Sequence, residues 1–128
     1  MPNLRCIVAT TDFSAFSERV VQRAARLASQ HHAELHLLHV VRPLDLYPGL
    51  TLAPDAFNHT DQDLLQSEQT RLDAMASDLA GQLGIRTHTA TRLGRAHTEI
   101  AGYAQEVSAD LVVAGARGEN TLMDLFLG

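Results

Sequence analysis

The sequence has little of what several classes of protein depend on. Among its 128 residues there is one cysteine and no tryptophan, and aromatic side chains make up 5% of the chain. One thiol cannot form a disulfide within the chain or supply a CxxC metal motif, and so few rings disfavour a surface on which nucleic-acid bases stack. No apolar run reaches the roughly 18 residues of a membrane span, and the N-terminus is not typical of a signal peptide. We therefore expect a cytoplasmic protein that does not act at a membrane.

Positive charge is also scarce. Lys and Arg total 10 against 15 Asp and Glu, which gives a formal net charge of -5, and the basic residues are scattered along the chain. Proteins that bind nucleic acid through its phosphates carry a basic patch, so we expect no nucleic-acid partner. The apolar fraction of 45% is typical of a folded globular chain. A chain of this length fits one domain, and we assign residues 1–128 to it.

Short apolar segments alternate along the chain with segments of helical periodicity. Four segments are predicted to be strands, the third of them at an edge of the sheet: residues 4–10, 34–41, 85–93 and 111–114. Three amphipathic helices are predicted between them, the first capped by Ser14 and the second ended by Gly84. Residues 42–59 carry three prolines and are predicted to form a loop. The order predicts an α/β fold, an open parallel sheet with helices on both faces.

Ligands of an open parallel sheet bind beyond the carboxyl ends of the strands, where the strand order reverses. We infer that the first and fourth strands are neighbours, which places this point between Thr10–Asp12 and the turn from Gly115 to Gly118. Glycines without a Cβ let backbone N–H groups approach an anion closely. A GxxG sequence also suits an ordinary tight turn, and the chain has neither a Walker P-loop nor the GxGxxG fingerprint.

With these segments, the chain resembles the universal stress protein family over its whole length. The resemblance is carried by Thr-Asp-Phe-Ser at 11–14, Leu-Leu-His-Val-Val at 37–41, Gly94, and the run at 109–118. It implies an adenine nucleotide alpha hydrolase-like fold and a stress-response or regulatory module that binds ATP, with AMP or another adenine nucleotide as alternatives and Mg²⁺ on the phosphates. It also implies a homodimer.

The nucleotide-binding branch of that family is marked by Gly-x2-Gly-x9-Gly followed by Ser or Thr. Gly115, Gly118 and Gly128 have this glycine spacing, but the sequence ends at the third glycine. The helix and the fifth strand that follow in the family are expected to be missing. We therefore expect a truncated form of a longer chain. The alternatives are a natural chain that ends at Gly128 and a chain that is completed by a partner chain. The fourth strand is then expected to expose an apolar edge.

The resemblance implies a role for each residue of a cofactor site. The predicted site consists of Thr10, Asp12, Val40, Gly115, Arg117, Gly118 and Gly128. The Asp12 carboxylate would accept hydrogen bonds from sugar hydroxyls or base amines, Val40 would face adenine, and Thr10 would line the same mouth. The glycines would let the backbone meet ribose and phosphates. Arg117 is either a phosphate partner or a solvated surface residue, and Asp12 is also suited to cap the first helix.

No catalytic site and no metal site are predicted. The chain shows no Ser/His/Asp arrangement and no carboxylate pair that would share one mouth, so slow ATP hydrolysis is the most we expect. Of the seven histidines, His36 and His39 are three apart on a strand and point to opposite faces. Cys6 lies in an apolar run and is expected to be buried. The alternative function is a nucleotide-free dimeric interaction protein of the same fold.

Overall fold

The computed structural model describes residues 3–42, 61–116 and 121–126. These ranges form β1 (Cys6–Thr10), α1 (Ala15–His31), β2 (Glu34–Val41), α2 (Asp61–Leu83), β3 (Thr87–Leu93), α3 (Ala96–Glu106), β4 (Leu111–Ala116) and β5 (Thr121–Phe126). The predicted alternation of strands and helices is confirmed as far as β4. The predicted loop 42–59 lies outside the described residues, except for its first residue.

The strands form one sheet in the order β3-β2-β1-β4-β5. β1 is central and pairs in parallel with β2 and with β4, and β3 pairs in parallel with the outer side of β2. The inferred adjacency of the first and fourth strands is therefore confirmed, as is the edge position of the third. The strand order reverses between β1 and β4, so the switch point lies at their carboxyl ends.

The outer edge of β4 is paired in this structure. β5 runs antiparallel to it. The pairing extends from Leu111 opposite Phe126 to Ala116 opposite Thr121. The expectation of an exposed β4 edge is therefore wrong. Unpaired N–H and C=O groups of an edge strand are a template for any extended segment, and the residues before the third glycine supply one. β5 precedes Gly128, whereas the strand expected to be missing would follow it.

Apolar side chains are buried on both faces of the sheet. On one face α1 and α2 cover a cluster that includes Ile7, Leu35 and Leu111. On the other face α3 packs over a cluster that includes Val8 and Leu38. Consecutive residues of one strand thus belong to clusters on opposite faces of the sheet. Since both faces are buried, the strands are almost continuously apolar. Each such buried side chain contributes about 1.5–3 kcal/mol to stability.

Helix ends follow the local signals in the sequence. Ser14 has an extended backbone and its hydroxyl accepts a hydrogen bond from the Ser17 N–H, so it is the N-cap of α1 as predicted. Gly84 has φ +65° just after the last residue of α2, and its N–H donates to the Ala80 carbonyl at 2.9 Å. This left-handed conformation favours glycine, so Gly84 ends the helix as predicted.

The expected burial of Cys6 is confirmed. Its side chain is buried, and burial raises the pKa of the thiol to about 11. The thiol therefore stays protonated at neutral pH and is a poor nucleophile. In the described ranges, no helix has both the length and the apolar character that crossing a membrane requires.

Candidate functional site

The carboxyl ends of β1, β2 and β4 meet at one edge of the sheet. Thr10 is the last residue of β1, and Val40 lies near the end of the adjacent β2. Gly115 lies two residues after Val113, and Val113 is the β4 residue that pairs with Ala9 of β1. The structure therefore brings three of the predicted site residues together at the switch point. The N-termini of α1 and α3, which favour anions, also lie at this edge, because these two helices begin just after β1 and β3 end.

Asp12 lies in the turn between β1 and α1, and its side chain is exposed. Its Oδ1 accepts a hydrogen bond from the Ser14 N–H at 2.9 Å. Hydrogen bonding from Ser14 holds the pKa of the Asp12 carboxyl below its usual value, which keeps the group ionised. Asp12 thus supports the start of α1 without being its N-cap. A carboxylate offers about four acceptor positions, so the group can still accept hydrogen bonds from a ligand.

Two hydroxyl groups beneath Asp12 hold this turn in place. The Thr11 and Ser17 side-chain oxygens are 3.0 Å apart and buried, and the Asp12 N–H donates to the Ser17 Oγ at 3.3 Å. The Phe13 N–H donates to the Thr11 Oγ1 at 3.0 Å, while Phe13 itself has φ +66°. These bonds set the position of the Asp12 backbone. Ser17 was not among the residues predicted from the sequence, although its place one turn after a capping serine is a usable signal.

His39 on β2 reaches the same turn from the neighbouring strand. Its Nδ1 donates to the Thr11 carbonyl oxygen at 2.7 Å, because a carbonyl can only accept. Its Nε2 lies 3.5 Å from the Glu68 Oε2 on α2. The His39 ring packs on Phe13 at 4.7 Å between centroids, and the Arg71 guanidinium lies 4.3 Å from the Phe13 ring centre. No sequence signal links these residues, since they belong to three separate segments: the turn after β1, strand β2 and helix α2.

Gly115 has a packing reason to lack a side chain. A Cβ added at this position would lie 2.6 Å from the Phe16 Cε1, closer than real Cβ atoms approach a neighbour. The first turn of α1 therefore sits directly against the end of β4. This contact gives weight to the reading of Gly115 as a structural glycine, while its role towards a nucleotide stays a prediction.

Gly94 joins the edge of the site through the backbone. It has φ +153°, and its N–H donates to the Val41 carbonyl at 2.9 Å. A Cβ there would lie 2.6 Å from the Glu99 Oε1. The turn before α3 is thereby tied to the end of β2, one residue beyond Val40.

The other predicted phosphate contacts cannot be placed. Arg117, Gly118 and Gly128 lie outside the described residues. The spacing of the three glycines therefore remains a pattern of the sequence. Thr10, Asp12, Val40 and Gly115 are the predicted site residues whose positions the structure gives.

A cavity of about 860 Å³ lies at the opposite edge of the sheet, where the strands begin. Its lining includes Arg5, His32, Glu34, Gly84 and Arg86. The helix C-termini lie at this edge, and their partial negative charge disfavours an anionic ligand. We therefore place the candidate nucleotide site at the carboxyl edge, where the sheet topology and the helix N-termini favour it.

The fold agrees with the comparison to known families. The model of the universal stress protein family matches residues 3–128, so the chain belongs to that family. It is 28% identical over 121 residues to universal stress protein YxiE of Bacillus subtilis, an alignment that covers 91% of this chain and 82% of that protein.

Two solved structures show the same fold. A member of the family from Burkholderia pseudomallei superposes with a TM-score of 0.72 at 22% identity, covering 91% of this chain and 84% of that one. A universal stress protein solved in complex with cAMP superposes with a TM-score of 0.62 at 25% identity, covering 94% and 78%. The second is a relative of this fold whose structure contains a nucleotide.

Proposed function

We propose that this chain binds an adenine nucleotide, ATP in the first place, and acts as a nucleotide-dependent stress-response or regulatory module in the cytoplasm. The observation that carries the proposal is the position of Asp12. Its ionised, exposed carboxylate is held at the switch point of the sheet by Ser14 and by the Thr11–Ser17 pair. A carboxylate fixed in this way accepts hydrogen bonds from ribose hydroxyls or an adenine amine without first having to be ordered.

The remaining parts of the nucleotide have partners in the same proposal. Val40 supplies an apolar surface and backbone groups for adenine, and Thr10 lines the mouth beside it. The backbone at Gly115 and Gly118 meets ribose and phosphates, close to the N-terminus of α1. Gly128 adds a second phosphate contact.

The charge of the phosphates is balanced by Mg²⁺, which is commonly held largely through the phosphates themselves. Arg117, if it pairs with a phosphate, adds a charge-assisted hydrogen bond. The relative in complex with cAMP supports an adenine nucleotide as the ligand class. ATP, AMP and cAMP are therefore the three ligands to compare.

Isothermal titration calorimetry with ATP and Mg²⁺ tests the proposal. We expect wild type to bind, and Asp12→Ala to bind at least about tenfold more weakly, because hydrogen bonds to a charged group contribute about 1.5–3 kcal/mol. Gly118→Val is expected to weaken binding by crowding the phosphates. Asp78→Ala removes the same charge from an exposed position on α2 and should bind like wild type.

Circular dichroism of each variant shows whether it is folded. Titrations with AMP and cAMP then rank the ligands. Folded wild type that binds none of the three nucleotides contradicts the proposal, and so does Asp12→Ala that binds ATP as tightly as Asp78→Ala.

The packing of Gly115 against Phe16 gives this glycine a structural use that needs no nucleotide, so it is compatible with a second candidate, a nucleotide-free dimeric interaction protein. In that case the glycine serves the fold alone, and the working surface is that of a homodimer. Mass spectrometry of the purified protein for bound nucleotide, and light scattering for the dimer, discriminate between the two candidates. Co-purified adenine nucleotide supports ATP binding; a dimer that contains no nucleotide and binds none supports the second candidate.

A further inference from the structure

We propose that Glu34, His36 and His88 form a binding site for a divalent transition-metal ion of the zinc class. The site lies on the face of the sheet that α3 covers, near the end where β2 and β3 begin. One potential ligand atom from each residue comes within 4.8 Å of the other two. The proposal does not depend on nucleotide binding, because the nucleotide site lies at the opposite edge of the sheet.

Strand pairing brings the three side chains together. His36 on β2 is the direct partner of His88 on β3. Glu34 precedes His36 by two residues on the same strand, so its side chain points to the same face. No metal site was predicted from the sequence, in which His36 and His39 lie on opposite faces of one strand. The sequence does not pair His36 with His88, because the register between β2 and β3 is a tertiary property.

The distances suit an ion better than they suit direct hydrogen bonds. The Nε2 atoms of His36 and His88 lie 3.6 Å and 3.7 Å from the same oxygen, the Glu34 Oε2. Hydrogen bonds between such groups are about 2.7–3.2 Å long. Nitrogen and oxygen ligands of tetrahedral zinc lie about 2.0–2.2 Å from the ion, which places them about 3.4 Å from one another. The observed separations are close to that value.

A buried hydrogen bond orients His36 as metal ligands commonly require. Its Nδ1 lies 2.8 Å from the Tyr103 hydroxyl oxygen, and both groups are buried. When Nδ1–H donates to that oxygen, the lone pair of Nε2 faces Glu34 and is available to an ion. A second hydrogen bond that fixes the tautomer and ring of a ligating histidine is the usual support of a zinc site.

The other two ligands have room to adjust. The rings of His36 and His88 are nearly parallel, at 21°, with centroids 4.5 Å apart. An ion in the plane of both rings therefore requires the His88 ring to rotate, and its side chain is 44% exposed. Arg86 lies 3.4 Å from the other oxygen, Glu34 Oε1, and its side chain is 75% exposed. Arg86 contacts Oε1 and not Oε2, so Oε2 stays available to an ion between the histidines, and the exposed Arg86 side chain can move away.

Three protein ligands leave a fourth position of a tetrahedral ion for water or a further group. Two imidazoles and one carboxylate suit zinc and its neighbours in the first transition row better than Mg²⁺ or Ca²⁺, which prefer oxygen ligands. An ion here would link β2 to the edge strand β3 and so stabilise that edge.

Zinc affinity of the full chain, measured by competition with a chromophoric chelator at neutral pH, tests the site. We expect one Zn²⁺ per chain. His88→Gln and Glu34→Gln should each weaken binding at least about tenfold, and Tyr103→Phe should also weaken it by about tenfold through the lost orienting bond. The matched control is His31→Gln, which removes a histidine from the last turn of α1 and should leave the affinity unchanged.

Cobalt gives a second readout that does not depend on affinity. Co²⁺ in the wild-type chain should show the visible absorption of a four- or five-coordinate ion, and His88→Gln, at a partly exposed position, should lose it while keeping its circular dichroism. Zn²⁺ that binds folded His88→Gln as tightly as wild type overturns the proposal. An equal loss of affinity in His31→Gln also overturns it, because the ion would then be held by scattered histidines.

Discussion

At the scale of single residues, Asp12 combines a local structural contact with the proposed ligand contact. Its carboxylate binds the backbone N–H of Ser14, and this hydrogen bond would exist with or without a nucleotide. The same bond keeps the group charged and in place. The two roles are therefore compatible, and a variant that keeps the local bond but removes the charge can separate them.

We expect Asp12→Asn to lower the free energy of unfolding at pH 7, and to lower it by less at pH 3. The folded pKa of Asp12 lies below its usual value of 3.8, so the unfolded state binds a proton first as the pH falls. The stability that the charged form contributes is thus present above about pH 4. It is lost as the pH falls through the pKa of the folded state, which is lower than that of the unfolded state. Urea unfolding across this range measures it.

Asp78→Asn, which removes one negative charge from α2, controls for the change in net charge. A difference between Asp12→Asn and wild type that stays constant from pH 7 to pH 3 contradicts the expectation. The same Asp12→Asn protein titrated with ATP shows how much of the ligand contact depends on the charge rather than on the turn.

The position of a residue could be predicted where the signal lies within one short segment. Thr10, Asp12 and Val40 lie at one edge of the sheet because they stand at or near the ends of two adjacent strands, and their roles towards a nucleotide stay predictions. Ser17 and His39 were missed, because their contacts with Thr11 depend on how α1 and β2 pack beside β1. The place of Ser17 one turn after Ser14 is a local signal, but it does not show that the Ser17 hydroxyl meets Thr11.

At the scale of elements, replacing glycine by alanine is expected to lower the free energy of unfolding at one position and to raise it at another. Gly115→Ala should lower the free energy of unfolding by about 1–3 kcal/mol, because the new methyl group overlaps Phe16. Gly102→Ala in α3 should raise it by about 0.4–1 kcal/mol, because nothing lies within 4 Å and alanine is the better helix former. Urea unfolding of both variants measures the difference.

The double variant Gly115→Ala with Phe16→Leu tests whether contact with Phe16 causes the loss of stability in Gly115→Ala. The smaller side chain makes room, so Gly115→Ala should be less destabilising in that background than in wild type. If the two backgrounds give the same loss, the steric contact with Phe16 is not the cause.

Strand register is the property of elements that sequence periodicity did not supply. The alternation of residues shows which face a side chain occupies, and it separated His36 from His39 correctly. It does not show which residue of the next strand lies opposite. The pairing of His36 with His88 is seen only in the register of β2 and β3, and the proposed metal site depends on it.

At the scale of the whole molecule, β5 changes the expected shape of the sheet. It covers the outer edge of β4, whose neighbour on the other side is the central β1. Leu111 and Val113 of β4 belong to the main core cluster. Pairing with β5 therefore protects a strand whose apolar edge would otherwise be open to other chains.

We expect removal of residues 117–128 to cause association beyond that of the full chain. The shortened chain keeps β1 to β4 and its core, but it exposes the backbone edge of β4. Light scattering over a range of concentrations should show larger and more varied species than the full chain forms. A shortened chain that matches the full chain in size at every concentration contradicts this expectation.

The fold class followed from the sequence because it depends on short-range patterns. Buried apolar segments of strand length, separated by amphipathic helices, permit little besides a parallel sheet with right-handed connections. Ser14 and Gly84 marked helix ends because capping is a contact between near neighbours in the chain.

Tertiary structure alone decided the rest, because contacts between distant segments depend on packing and register. It showed that β5 pairs with β4, that Gly115 packs on Phe16, and that His88 lies opposite His36. The sequence by itself determined the layers of the fold and the edge of the sheet that carries the candidate site. Which side chains face one another across that edge and across the sheet became known only once the strands were aligned.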